Sequence, residues 1–237
     1  MSRADGRRTD ELRPLDLELD YLEQPLGSVL YAQGKTRVLC TASLEERVPR
    51  WLHKSGRGWL TAEYSLLPAS TGERTPREAS EGRQKGRTVE IQRLIGRALR
   101  AVADLEAVGE RTLWLDCDVL QADGGTRCAA ISGAYVAGRR ALEKAGLSRA
   151  LRDSVAAVSV GIVDGELLLD LDYSEDSTAE VDLNVVMTGE GRLVEVQATA
   201  ERAPFDRAGL DELLDLAAAG IATIEQAQEQ ALDAARV

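Results

Sequence analysis

The stretch Asp116-Cys-Asp-Val-Leu-Gln-Ala-Asp-Gly-Gly-Thr-Arg127 decides how this chain is read. Thr112–Leu120 alternates and is partly β-branched, the pattern of a strand. Gln121-Ala-Asp-Gly-Gly-Thr-Arg127 then supplies a turn, because two adjacent glycines let the backbone bend and come close to a ligand. From Arg127 to Lys144 the sequence is rich in Ala129, Ala130, Ser132, Gly133, Ala134, Ala137 and Gly138. Such residues let a helix pack closely on a sheet, and Gly146 is a natural stop. The N–H groups that open a helix carry a positive field suited to an anion. Thr126 adds a hydroxyl and Arg127 a planar fork for phosphate oxygens. The same residues equally describe an ordinary strand–helix turn with a threonine cap.

Upstream, Ser28–Gln33 and Thr36–Ser43 predict a hairpin turning at Gly34, and Trp59–Leu66 reads as extended. A helix is expected from Thr88 to Leu105, with Ile91, Leu94, Ile95, Ala98, Val102 and Leu105 at three- and four-residue steps and Glu90 in its first turn. Downstream, strands are expected at Ala156–Val163, Glu166–Asp172, Glu180–Met187 and Leu193–Ala198, then a helix from Leu210 to Arg236. Strands, helix, strand, helix, strands, helix is the order of a mixed α+β domain spanning 1–237, not of a doubly wound parallel sheet.

Of the 237 residues, 44% are hydrophobic and 29% charged, which excludes wholesale disorder. Aromatics are only 4%, so the core must be aliphatic. With 29 Lys and Arg against 40 Asp and Glu, the net charge is −11. That excludes a uniformly basic nucleic-acid coat but not a local basic patch. Cys40, Cys117 and Cys128 lie far apart among apolar neighbours, as buried thiols of a reduced, cytoplasmic protein would. The charged start lacks the apolar region of a signal peptide. No apolar run is long enough to span a membrane.

Three further segments carry charge. Arg74–Arg100 holds eight Arg and Lys against three Glu. Arg93, Arg97 and Arg100 share one helical face by spacing, either as a solvated surface or as phosphate binders. Pro68–Gly86, which overlaps it, reads as a mobile loop. Asp164–Asp182 holds eight Asp and Glu and no cation. Carboxylates at this density are solvated, paired or bound to a hard cation such as Mg²⁺. A turn between Asp176 and Asp182 keeps residue parity from fixing their faces. Arg3-Ala-Asp-Gly-Arg7 alone reads as a charged tail without fixed structure.

Absences narrow the chemistry. His53 sits in a charged loop and reads as a surface residue, and no HExxH or CxxC is present. Gly34-Lys35-Thr36 imitates the end of a P-loop, but Val29 stands where its first glycine belongs. A phosphate-handling turn plus carboxylates fits metal-assisted phosphoryl chemistry.

Five strings in order resemble the ribonuclease PH family: Arg3–Arg7, Gly58–Pro68, Gly86–Arg97, Asp116–Arg127 and Glu175–Thr188. The resemblance spans nearly the whole chain. It implies mixed sheets flanked by helices, like domain 2 of ribosomal protein S5, and a homohexamer built as a trimer of dimers. The implied reaction is phosphorolysis, in which inorganic phosphate is the co-substrate. It trims tRNA precursors and other RNA 3′ ends, releases nucleoside diphosphates, and runs in reverse as nucleotide addition. The resemblance places phosphate on Arg87, Gly125, Thr126 and Arg127. It places catalysis and Mg²⁺ on Asp176 and Asp182, either of which could instead protonate the leaving oxygen. Arg74, Arg77, Arg93 and Arg97 match positions for RNA or subunit contacts. Ala69 and Cys128 depart from the family pattern, the second as a packing change. A non-catalytic RNA scaffold and a hydrolytic nuclease are the alternatives.

Overall fold

Five strands build the first sheet: β1 (Leu15–Leu19), β2 (Gly27–Gln33), β3 (Thr36–Glu45), β4 (Trp59–Leu66) and β5 (Thr112–Gln121). Their order is β1-β2-β3-β5-β4, antiparallel except for the parallel β4–β5 pair. The structure, a computed structural model, describes residues 3–202 and 204–236. Val29, Tyr31, Val38, Cys40, Leu113, Leu115 and Val119 alternate onto one buried face. That face is covered by α2 (Gly86–Ala101) and α4 (Thr126–Lys144). The small residues of α4 serve close approach as expected: a Cβ on Gly133 would stand 2.7 Å from Cys40 Sγ.

The second sheet holds β6 (Val155–Val163), β7 (Glu166–Leu169), β8 (Val181–Thr188) and β9 (Leu193–Ala200), in the antiparallel order β7-β6-β8-β9. Val155 and Ala157 face the core shared with α4, while Ala156, Val158 and Val160 face α6 (Arg207–Ala234). Burial on both faces explains the nearly continuous apolar run of β6. The layers are therefore sheet, α2 with α4, sheet, α6. This is the α+β arrangement of mixed sheets and flanking helices that the element order predicts. Among the described residues, no helix is long and apolar enough to cross a membrane.

Several boundaries differ from expectation. The helix expected over 88–105 stops at Ala101, because Asp104 accepts from the N–H groups of Glu106 and Ala107 and caps the separate short helix α3 (Leu105–Val108). α2 also begins at Gly86, two residues before the expected start, so Glu90 lies beyond its first turn. The strand expected over Glu166–Asp172 ends at Leu169. Asp170 there takes φ +56°, and Asp172 caps the short helix α5 (Tyr173–Asp176) in a reciprocal box with Glu175. Part of the 68–86 loop forms another short helix, α1 (Glu78–Glu81). β1 was not anticipated, although Leu15-Asp-Leu-Glu-Leu19 alternates. The three cysteines are buried and unpaired.

The largest correction concerns residues 3–7. Arg3 is buried, donating from Nε and Nη2 to the two carboxylate oxygens of Glu175 at 2.7 and 2.6 Å and from Nη1 to the Leu169 carbonyl at 2.8 Å. Arg7, also buried, donates to Asp5 and to the carbonyls of Glu11 and Asp170. The segment is not a loose tail but a strap across the acid-rich region.

Candidate active site

The diglycine turn between β5 and α4 is pressed directly onto the acid-rich segment. Gly124 has φ +79°, and a Cβ there would stand 2.6 Å from the Leu171 carbonyl oxygen and 2.9 Å from the Tyr173 nitrogen. Only glycine meets both demands, the left-handed backbone and the absent side chain. Gly125, at φ +66°, is the N-cap of α4. Thr126 opens that helix, and its hydroxyl accepts from the Tyr64 hydroxyl of β4 at 2.9 Å. Thr36 locks the turn from beneath, donating to the Gly124 carbonyl at 2.7 Å and accepting from Asp123 N–H at 3.0 Å.

Asp176 closes α5 and Asp182 lies on β8, opposite Gly161 of β6 and Thr199 of β9. A Cβ on Gly161 would collide with the Val181 carbonyl at 2.5 Å. Burial pushes the Asp176 carboxyl above the usual carboxylate range, opposed by the guanidinium charges of Arg87 and Arg127. Burial, together with the neighbouring Asp176 charge, pushes Asp182 up to about 6, with Arg127 again opposing. The same four side chains thus act on one another across α2, α4, α5 and β8.

Arg87, in the first turn of α2, is exposed and makes no hydrogen bond or ion pair among the described residues. Arg127 is largely buried and is held by Gln197 Oε1 of β9 and by Glu90, 3.6 Å away. Gln197 also donates to Glu90 at 2.9 Å. Cys128 Sγ donates to Asn184 Oδ1 at 3.3 Å, and the Asn184 amide reaches toward both Asp182 oxygens at 3.4 Å. Burial raises the Cys128 thiol to about 12, so it is an inert packing group here.

The structure brings Arg87, Gly125, Thr126, Arg127, Asp176 and Asp182 together, and not the other four arginines. Arg74 and Arg77 are exposed on the loop after β4. Arg77 borders a separate cavity of about 870 Å³ on the open face of the first sheet, with Glu63, Asp116 and Asp118. Arg93 is exposed on α2, and Arg97 pairs with Glu195 of β9. Arg100 leaves the arginine row to lie over Trp59. His53 is exposed, as expected.

Sequence reasoning missed Tyr64, Glu90 and Gln197, which orient Thr126 and Arg127 from other elements. It also missed Arg13, which is buried and donates to Asp170 and to the Asp123 carbonyl. Their only sequence signal was polarity at positions where a strand should be apolar, as at Tyr64 and Gln197.

Two guanidinium groups, one of them at the start of α4, act electrostatically on a carboxylate pair, an arrangement suited to handling phosphate. Two sequence profiles, described as domains 1 and 2 of the 3′ exoribonuclease family, match residues 11–142 and 153–220, and the chain belongs to that family. Its relatives are named ribonuclease PH. The one from Moorella thermoacetica is 59% identical over 239 residues, covering 98% of this chain and 95% of that one. The one from Bacillus subtilis is 56% identical over 236 residues, covering 97% and 96%. Among solved structures, rice Rrp46 superposes with a TM-score of 0.78 at 20% identity, covering 97% of this chain and all of that one. A chain of the RNA-bound Archaeoglobus fulgidus exosome gives 0.79 at 22% identity, covering 95% and 92%. Those two likenesses concern the fold. At the identity and coverage of the sequence relatives, the activity is that of a phosphate-dependent 3′-to-5′ exoribonuclease and tRNA nucleotidyltransferase acting in tRNA processing.

Proposed function

We propose that Arg87, Thr126, Arg127 and the N–H groups opening α4 at Gly125 hold inorganic phosphate, and that Asp176 and Asp182 serve the terminal linkage of the RNA. One observation carries this reading. Arg87 and Arg127 are the leading positive charges on both Asp176 and Asp182, so an anion held by those arginines sits beside the carboxylates.

Two anions must meet for phosphorolysis, and their repulsion has to be offset by fixed cations. Arg87, without a hydrogen-bond or ion-pair partner among the described residues, turns onto the incoming phosphate. Arg127 is already oriented by Glu90 and Gln197, so it loses little freedom on binding. A phosphate oxygen attacks the phosphorus of the last 3′–5′ linkage, the bond to the neighbouring 3′ oxygen breaks, and a nucleoside diphosphate leaves. The freed 3′ oxygen takes up the proton that the attacking hydrogenphosphate gives up, so the shortened RNA ends in a 3′ hydroxyl. One phosphoryl bond replaces another, so the reaction is reversible.

Asp176 and Asp182 suit a divalent cation such as Mg²⁺. Asp176 is exposed and Asp182 partly buried, and the Asp176 charge adds to burial in raising Asp182, a repulsion that a cation between them would relieve. Mg²⁺ typically takes one or two carboxylates and completes its shell with waters and substrate phosphate. When bound it would neutralise charge developing on the transferred group.

Arg74, Arg77 and Arg93 are exposed and available to RNA, and Arg97, engaged with Glu195, extends the same set. Residues 1–237 act as one unit in this reading, assembled as a homohexamer in the cytoplasm. The exposed apolar groups Tyr21, Leu22 and Leu26 suit a subunit contact. The test is product analysis on a 3′-extended tRNA precursor. Nucleoside diphosphates that appear only with added phosphate support the reading. Monophosphates independent of phosphate would replace it with hydrolysis, and tight RNA binding without turnover would replace it with a scaffold.

A further inference from the structure

Asp176 stands on a mount that does not support itself. α5 is a single helical turn, and a turn that short has no stability of its own in water. Glu175 is its only buried residue. Tyr173, Ser174 and Asp176 are exposed, so no apolar side chain of α5 fastens the turn to the sheet beneath it. Its side-chain anchor is one carboxylate. The Asp176 carboxylate itself accepts no hydrogen bond among the described residues, so its position follows its backbone.

The anchoring carboxylate is held by the strap. Glu175 Oε1 and Oε2 accept from Arg3 Nε and Nη2 at 2.7 and 2.6 Å, a two-pronged fit that a guanidinium makes and an ammonium does not. Oε2 also accepts from Asp172 N–H at 3.0 Å, which closes the start of α5, and Arg7 adds its charge at 3.6 Å. Arg3 is fixed in turn by the Leu169 and Asp170 carbonyls, at 2.8 and 2.9 Å. Leu169 N–H donates back to the Thr9 carbonyl at 2.8 Å. Arg3 and Glu175 are only 7% and 9% exposed. A carboxylate so buried is unfavourable without its guanidinium. Deprived of Arg3, Glu175 would turn toward water and carry residue 176 with it.

We propose that Arg3 is a positioning residue for the reaction: through Glu175 it sets where Asp176 stands relative to Asp182, Arg87 and Arg127. The proposal rests on the reading above of Asp176 as an active-site carboxylate. Its effect is one-sided. Arg87 is carried by α2, and Thr126 and Arg127 by α4. The diglycine turn keeps its own ties to Thr36 and Arg13. Loss of Arg3 therefore spares phosphate binding and spoils the geometry of the chemical step.

The test uses the full-length protein and reads kcat and the KM for phosphate separately, well below the melting transition of each variant. Arg3→Gln removes the fork, and Glu175→Gln keeps an amide that can still cap Asp172. Each is expected to lower kcat at least about 10-fold, since a misplacement of about 1 Å costs on the order of 100-fold. KM for phosphate should stay within about 2-fold. Arg3→Lys should not restore kcat, because it keeps the charge without the fork. The double variant should lose no more than the worse single one, because both changes break one contact. Amide hydrogen exchange of residues 174–178, followed without substrate or metal, should quicken about 10-fold or more while β6 and β8 exchange as in wild type. Should Arg3→Gln fail to fold, Glu175→Gln carries the same readings. Wild-type kcat, unchanged exchange, additive losses in the double variant, or a KM for phosphate that rises in step with the fall in kcat would each overturn the proposal. Asp176→Asn separates it from the reading beneath it. Wild-type kcat in Asp176→Asn would remove Asp176 from the reaction and take this proposal with it. A large loss there, beside wild-type kcat in Arg3→Gln and Glu175→Gln, would overturn the positioning role alone.

Discussion

Arg13 grips Asp170 with three hydrogen bonds. Its Nη2 and Nε donate to the two carboxylate oxygens at 2.6 and 3.0 Å, and its backbone N–H adds a third at 2.8 Å. Both residues are buried. Burial works against the Arg13 charge, but Asp170 outweighs it and raises the guanidinium above its ordinary value. Through the Asp123 carbonyl the same guanidinium reaches the phosphate turn. Arg13→Met would leave Asp170 as an unpaired buried charge, at a cost of about 3–5 kcal/mol. Urea unfolding is the measurement, and a loss below about 1 kcal/mol would show that the pair is not needed to hold the two segments together.

Among the described residues, Arg87 has no hydrogen-bond or ion-pair partner to lose. Arg87→Ala should therefore leave the melting temperature unchanged while lowering kcat/KM for phosphate by about 100-fold or more, as loss of one oxyanion donor commonly does. Steady-state rates at limiting phosphate decide the matter. Wild-type rates there would remove Arg87 from the site.

Burial and the neighbouring Asp176 charge push Asp182 up to about 6 in the folded protein, against 3.8 for the free side chain. The folded state binds this proton more tightly than the unfolded state, so its contribution to stability is greatest below about pH 4. It diminishes as the pH rises through 6. Asp182→Asn should thus melt higher than wild type at pH 7–8 in a chelator, with the advantage vanishing near pH 4. Melting curves that differ by a constant amount across this range would argue against a strained carboxylate. Added Mg²⁺ should stabilise the wild type and not the variant, if the cation binds there.

Gly124→Ala combines an unfavourable φ of +79° with a Cβ only 2.6 Å from the Leu171 carbonyl. A stability loss of about 1–3 kcal/mol is expected, together with a raised KM for phosphate, because the turn must back away from 171–173. Calorimetry and phosphate titration of the rate test both parts. A variant with normal KM would mean that the close approach does not set the phosphate site.

What was legible in the sequence followed physical locality. Periodicity along one element revealed β2, β3, β5, α4 and α6, and the glycines of 124–125 announced a turn. The strap at 3–7 was opaque because its meaning lies in Glu175 and Asp170, more than 160 positions away. The same distance effect hid Gln197 and Glu90 behind Arg127. α5 escaped notice because a four-residue helix has no period to detect, only the Asp172–Glu175 capping pair. The helical face shared by Arg93, Arg97 and Arg100 was read from spacing alone, but Trp59 and Glu195 redirect two of the three.

α4 begins at the phosphate turn and its inner face touches both sheets, with almost no room beside Gly133 and Gly138. A bulkier residue at Gly133 would press the rod away from Cys40 and Tyr31, and a shift of the whole helix would carry Thr126 and Arg127 with it. Efforts to toughen this protein by filling its interior would therefore erode turnover from a site several turns away, whereas substitutions on the outward side of α6 carry no such lever arm.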